Sequence, residues 1–88
     1  MPDLEATVNA GVAAIRRRLA GEDEAAQGVY DRTAVYWDLM HVHGLSAEKI
    51  SELMREALLR EGIPEKELGR LGVSPATIRP VKTMRNRP

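Results

Sequence analysis

The sequence contains no cysteine. This absence excludes a disulfide framework and a thiolate zinc site, and it is typical of proteins that work in a reducing cytoplasm. Long hydrophobic runs are also missing, since the apolar stretches are a few residues long and a bilayer span needs about 20. The first residues, MPDLEATVNAG, have no basic segment followed by an apolar run, so no secretory signal is expected. We therefore expect a cytoplasmic protein that makes no membrane contact.

Acidic residues are absent from the last quarter of the chain. All 13 acids lie in residues 1–67, where 8 Lys and Arg leave a net charge of −5. Residues 68–88 contain five bases and no acid, a net charge of +5. Such a split between segments indicates an anionic partner, with nucleic acid the first choice. The alternative is a basic tail that only aids solubility.

Alternating runs of β-branched residues are missing as well, so the sequence predicts helices rather than strands. Glycine and proline divide the 88 residues into helical segments, enough for one compact domain. The core of so small a domain is modest, and a dimer could supplement it. The fold class we predict is all-α, a small bundle of four to five helices. The predicted helices are residues 3–20, 22–43, 46–61, 64–71 and a short last one from residue 75.

Apolar residues lie on two sides of the second predicted helix, which favours a central position in the bundle or a subunit interface. The three aromatic residues of the chain, Tyr30, Tyr36 and Trp37, all lie on it. Their neighbours are not basic, so stacking on single-stranded bases is disfavoured. Core packing remains open beside a homodimer seam formed by Tyr30, Tyr36, Trp37 and Met40.

The stretch LGRLGVSPATIR, residues 68–79, predicts a helix, a tight turn and a second helix. Gly72 supplies the permissive backbone of the turn, Ser74 is an N-cap, and Pro75 fits the first helical position. Pro80 disfavours helical geometry at the residue before it. We therefore expect a last helix of one or two turns, or a kink at Arg79.

Residues 64–83 resemble the helix-turn-helix of bacterial and phage DNA-binding regulators. The resemblance rests on Gly72 in the turn, on Leu71 and Val73 beside it, and on Ile78 and Val81 at inward-facing positions of the recognition helix. In two places the chain departs from the family: the first helix of the motif is one residue short, and Pro80 interrupts the second.

The resemblance implies that the start of the last helix faces the major groove. Hydroxyl groups of Ser74 and Thr77 suit phosphate oxygens, Arg79 suits a guanine edge, and Ala76 or the Thr77 methyl group suits a thymine methyl group. Further basic residues would contact the DNA backbone or enter the minor groove. Those residues are Lys82, Arg85 and Arg87, and Arg70 is a further predicted DNA-binding residue.

No catalytic constellation is visible in the sequence. On a helix His41 and His43 point about 200° apart, and Asp38 with His41 gives two ligands, too few for a metal site. Neither a nucleophile with a base nor a phosphate-cradling loop is present. We expect neither enzymatic activity nor a cofactor or bound metal.

These inferences divide the chain into a helical hairpin with a possible dimerisation role (1–44), a helix-turn-helix unit (45–81) and a basic tail (82–88), all within a single domain. The predicted function is sequence-specific binding of double-stranded DNA by a small transcriptional regulator of bacterial, plasmid or phage type. The alternatives are a protein–protein adaptor and a helical structural subunit that acts on a transcription or phage-assembly partner.

Overall fold

A computed structural model describes residues 3–21 and 25–81, apart from the side chains of residues 18 and 25–31. These residues form a small all-α bundle and contain no strand, which confirms the predicted fold class. The helices are α1 (Leu4–Leu19), α2 (Ala25–His41), α3 (Ala47–Arg60), α4 (Glu65–Leu68) and α5 (Pro75–Ile78). None of the helices in the described ranges is long and apolar enough to cross a membrane.

Side-chain caps determine where α1 and α3 begin. The Asp3 carboxylate accepts the backbone N–H of Ala6 at 2.7 Å, and the Ser46 hydroxyl accepts that of Lys49 at 3.1 Å. Each bond satisfies a first-turn donor that has no partner within the helix, a contribution of about 1 kcal/mol. The predicted starts of α1 and α3 therefore lie within one residue of the observed ones.

One hydrophobic core joins the hairpin to the C-terminal helices. Its most deeply buried side chains come from every helix except α4 and from the segment after it, and each contributes about 1.5–3 kcal/mol. They are Ile15, Leu39, Ile50, Met54, Leu58, Val73 and Ile78. The predicted apolar face of α1 is buried only in its middle, because Leu4 and Leu19 at its ends are 37% and 45% exposed.

Helix α2 contributes both buried and partly buried side chains to the core. Tyr36 and Leu39 are buried, and Val35, Trp37 and Met40 are partly buried against the core. The side chain of Tyr36, 2% exposed, belongs to the core rather than to an outer seam.

Side chains of α2 and α3 lie close to α1 at Gly11. A Cβ atom at this position would lie 2.9 Å from Val35 Cγ1 and 3.1 Å from Met54 Cε. Atoms at those separations overlap, and the short, branched Val35 side chain has little freedom to move away. Gly11 therefore permits the contact between three helices.

We expect Gly11→Ala to destabilise the protein by up to about 2 kcal/mol. Overpacking costs about 1–3 kcal/mol, and the higher helix propensity of alanine offsets about 1 kcal/mol of it. Urea unfolding of the variant measures the change in free energy. Ala10→Gly, at an exposed position of the same helix, measures the propensity term alone. A stabilised Gly11→Ala protein would show that the three helices are not closely packed at residue 11.

Candidate nucleic-acid interface

The residues around Gly72 form the turn that the sequence predicts. Helix α4 ends at Leu68, Gly72 has a φ angle of 75°, and α5 begins at Pro75 with Ser74 as its N-cap. Leu71 and Val73 on either side of the glycine are buried. The turn is therefore anchored by apolar side chains at both ends.

Helix α5 is a single turn, the length expected before Pro80, but Arg79 itself keeps helical angles of φ −53° and ψ −42° instead of the non-helical geometry expected before a proline. At the end of this turn the Arg79 N–H donates to the Pro75 carbonyl at 2.9 Å. Ile78 and Val81 face inward, 0% and 4% exposed.

The opposite side of α5 faces solvent. Ser74, Ala76, Thr77 and Arg79 are all exposed, as the resemblance implies. The Ser74 and Thr77 hydroxyl oxygens lie 3.0 Å apart, and the Thr77 N–H donates to Ser74 Oγ at 3.3 Å. We define these four residues as the α5 surface. Of the other predicted contact residues, Arg70 is exposed after α4, whereas Lys82, Arg85 and Arg87 lie outside the described residues.

Carboxylates contact the arginines of this region. The Arg79 guanidinium pairs with Glu48 on α3, and Arg70 pairs with Glu67 on α4. Because 31 residues separate Arg79 from Glu48, no local pattern in the sequence could reveal that pair. The exposed arginines are thus not simply open to solvent, and an anionic partner must compete with carboxylates for them.

Two side chains of α2 hold the backbone of the turn, and sequence reasoning gave neither of them this role. The Arg32 guanidinium donates to the Leu71 carbonyl at 2.5 Å, and the Tyr36 hydroxyl donates to the Gly72 carbonyl at 2.9 Å. We call this pair of contacts the turn clamp. It joins the hairpin to the turn through two consecutive carbonyl groups that would otherwise lack partners within a helix.

Burial of Tyr36 changes the ionisation of its phenol. Burial raises the pKa of the Tyr36 phenol from 10.0 to about 12, while the nearby Arg32 cation partly offsets this by favouring the phenolate. The phenol is therefore a neutral donor across the physiological pH range.

The two histidines near the end of α2 have environments other than a metal site. His43 Nε2 lies 3.2 Å from the Thr7 hydroxyl, which itself donates to the Asp3 carbonyl at 3.1 Å, so His43 is the donor in the first contact. The His41 ring lies 4.5 Å from the Trp37 ring, centroid to centroid. Within the described part of the chain, no three His, Asp or Glu side chains are grouped as a metal site requires.

Comparison with models of protein families, with curated proteins and with solved structures gives no match for this chain.

Proposed function

We propose that the protein binds double-stranded DNA through the α5 surface and the basic segment 82–88, as a small transcriptional regulator of bacterial, plasmid or phage type. The observation that carries this proposal is the contrast between the two sides of α5. Its inner side is anchored in the core by Ile78, and its outer side presents two hydroxyl groups and a guanidinium beside the acid-free end of the chain.

The exposed groups suit distinct parts of a duplex. Hydroxyl groups bind phosphate oxygens, and a guanidinium can donate two hydrogen bonds to the O6 and N7 atoms of guanine. The turn clamp supports this use, since base reading needs a backbone of defined orientation.

A one-turn helix gives few base contacts. Most of the binding free energy would therefore come from phosphate contacts made by the basic residues, and two half-sites bound by a dimer would supplement it. The dimer surface would involve Tyr30 and the partly buried Trp37 and Met40, but not Tyr36, which is in the core. The Tyr30 side chain lies outside the described residues.

A salt series with mixed-sequence duplex DNA tests the proposal. With four or five phosphate contacts, the slope of log K against log salt should be about −4, and affinity should fall about 250-fold between 50 and 200 mM salt. Fluorescence anisotropy of a labelled duplex measures both quantities. If no binding is detected even at low salt, the proposal is wrong.

Base reading by the α5 surface requires a second experiment. A preferred duplex is first selected from a random pool, and its affinity is compared with that of a scrambled duplex. Arg79→Ala should lower this ratio about tenfold, because a good bidentate base contact contributes about 1–3 kcal/mol of discrimination.

Arg60→Ala is the matched control, because Arg60 is an exposed arginine at the end of α3, away from α5. It should leave the ratio unchanged. Replacing Lys82, Arg85 and Arg87 with glutamine should lower the affinity for the preferred and the scrambled duplex by the same factor. An unchanged ratio in Arg79→Ala combined with Thr77→Ala would show that α5 reads no bases.

The alternative is a helical adaptor or structural subunit that binds another protein. One observation favours it: Arg70 and Arg79 are each paired with a glutamate, so these exposed arginines do not form a purely basic patch. If the protein binds no duplex DNA at any salt concentration, this alternative is the better proposal for its function.

A further inference from the structure

We infer that Glu48 is an intramolecular competitor for DNA at Arg79 and thereby lowers the affinity for non-specific duplexes. This inference rests on the proposed function and concerns the same surface. It assigns a role to a residue on α3 that lies outside the helix-turn-helix resemblance.

The fold itself brings the two side chains together. Glu48 is in the first turn of α3, which the Ser46 cap fixes, and Arg79 follows α5, where its N–H is bonded to the Pro75 carbonyl. Ile50 on α3 and Ile78 on α5 are both completely buried in the shared core. The Glu48–Arg79 contact therefore follows from the packing of α5 on α3 and does not depend on a flexible loop.

A carboxylate and a phosphate use the same donors of a guanidinium. Both accept hydrogen bonds from its N–H groups, so Arg79 cannot be fully engaged with Glu48 and with a DNA phosphate or a guanine edge at once. Glu48 must give way when DNA binds at Arg79.

The Arg79–Glu48 ion pair is exposed to solvent, so it can break when DNA binds. The Arg79 and Glu48 side chains are 56% and 63% exposed, and ion pairs of such exposure contribute little to stability. After displacement, however, the Glu48 carboxylate stays beside the incoming phosphates and repels them. Glu48 therefore weakens any complex that depends on Arg79 for charge alone, whereas a base contact at Arg79 adds free energy that offsets the loss.

Glu48→Gln tests this role, with Glu52→Gln as its matched control. Glu52 lies one turn further along α3 and contacts Lys49 at 3.8 Å, so its substitution makes the same change in net charge without touching Arg79. Mixed-sequence duplex binding is measured for both variants and for the wild-type protein by anisotropy over a salt series, and thermal unfolding checks that each variant is folded.

Glu48→Gln should bind the mixed duplex about two- to fivefold more tightly than the wild-type protein, the range that corresponds to an exposed ion pair. Its salt slope should be steeper by up to about 0.9, the value of one added phosphate contact. Glu52→Gln should change affinity less, and the gain from Glu48→Gln should vanish in an Arg79→Gln background.

Equal gains in the two glutamine variants would overturn the inference, since net charge alone would explain them. A gain in affinity from Glu48→Gln that persists in the Arg79→Gln background would also overturn the inference. In both cases the wild-type protein still binds DNA and the proposed function stands. If none of the three proteins binds a duplex at low salt, the proposed function fails and the inference fails with it.

Discussion

Replacing Gly72 with alanine is expected to destabilise the protein by about 2–4 kcal/mol. A φ angle of 75° is strained for any residue with a Cβ atom, at a cost of about 1–2 kcal/mol. An added Cβ would also lie 2.8 Å from Arg32 Nη1, so the guanidinium must move and its bond to the Leu71 carbonyl weakens. A charged donor of this kind contributes about 1.5–3 kcal/mol. The loss is large for a domain whose total stability is about 4–13 kcal/mol.

Gly44→Ala is the matched control for this substitution. Gly44 has a φ angle of 71°, yet no atom lies within 4 Å of the Cβ position, so alanine there meets the backbone strain alone. Urea unfolding should give Gly72→Ala the larger loss by about 1–2 kcal/mol, the part due to the clamp. Combining Gly72→Ala with Arg32→Ala should then cost less than the sum of the two single changes, because both remove the same contact. Equal losses at positions 44 and 72 would show that Arg32 does not constrain the turn.

Raising the pH from 10 to 12 is expected to remove about 2–3 kcal/mol of stability through Tyr36 alone. The phenol ionises near pH 10 in the unfolded chain and near pH 12 in the folded protein. Between these values the unfolded state releases a proton that the folded state retains, so unfolding becomes easier by about 1.4 kcal/mol per pH unit. The contribution of Tyr36 is therefore complete below pH 10 and is lost as the pH rises through 12.

Tyr36→Phe isolates this effect. The variant should be about 1 kcal/mol less stable at pH 7, because the Gly72 carbonyl loses its donor, and it should lack the additional decline above pH 10. The difference between the wild-type and variant curves cancels the titration of other groups. Absorbance of phenolate provides a second measurement. The difference between the wild-type and Tyr36→Phe titrations is the absorbance of the Tyr36 phenolate, which should appear near pH 12 in the folded protein. A Tyr36 phenol that titrates near pH 10 in the folded protein would contradict its burial.

The local architecture of this chain could be predicted from its sequence because its causes are local. Ser74 and Pro75 start α5 through their own backbone chemistry, and both effects are observed. Pro80 follows a one-turn helix, but Arg79 before it keeps helical angles of φ −53° and ψ −42°, so the expected effect on that residue is not observed. The exposure of Thr77 and the burial of Ile78 follow from helical periodicity in the same way.

Contacts between distant residues could not be predicted in this way. Arg32 reads as one charge among acidic neighbours on α2, and Tyr36 reads equally well as a core residue or as part of a dimer seam. Their use as donors to the turn depends on how the hairpin packs on α3, which no spacing encodes. The pairing of Arg79 with Glu48 has the same origin. These contacts determine the orientation and charge of the α5 surface, so the candidate site is less accessible to sequence reasoning than the helices that form it.

The turn clamp also has a consequence for the order of folding. The partners in its two hydrogen bonds are far apart in the sequence, by 36 positions for Tyr36 and Gly72 and by 39 for Arg32 and Leu71. Both bonds therefore form only after the loop between the hairpin and the turn has closed. Helix α3 and its cap need no such closure and can form early. The turn before α5, by contrast, acquires its final conformation only when the hairpin has docked. The surface proposed to read DNA is thus among the last parts of the molecule to be completed, and a chain with a disordered hairpin would present no competent reading surface.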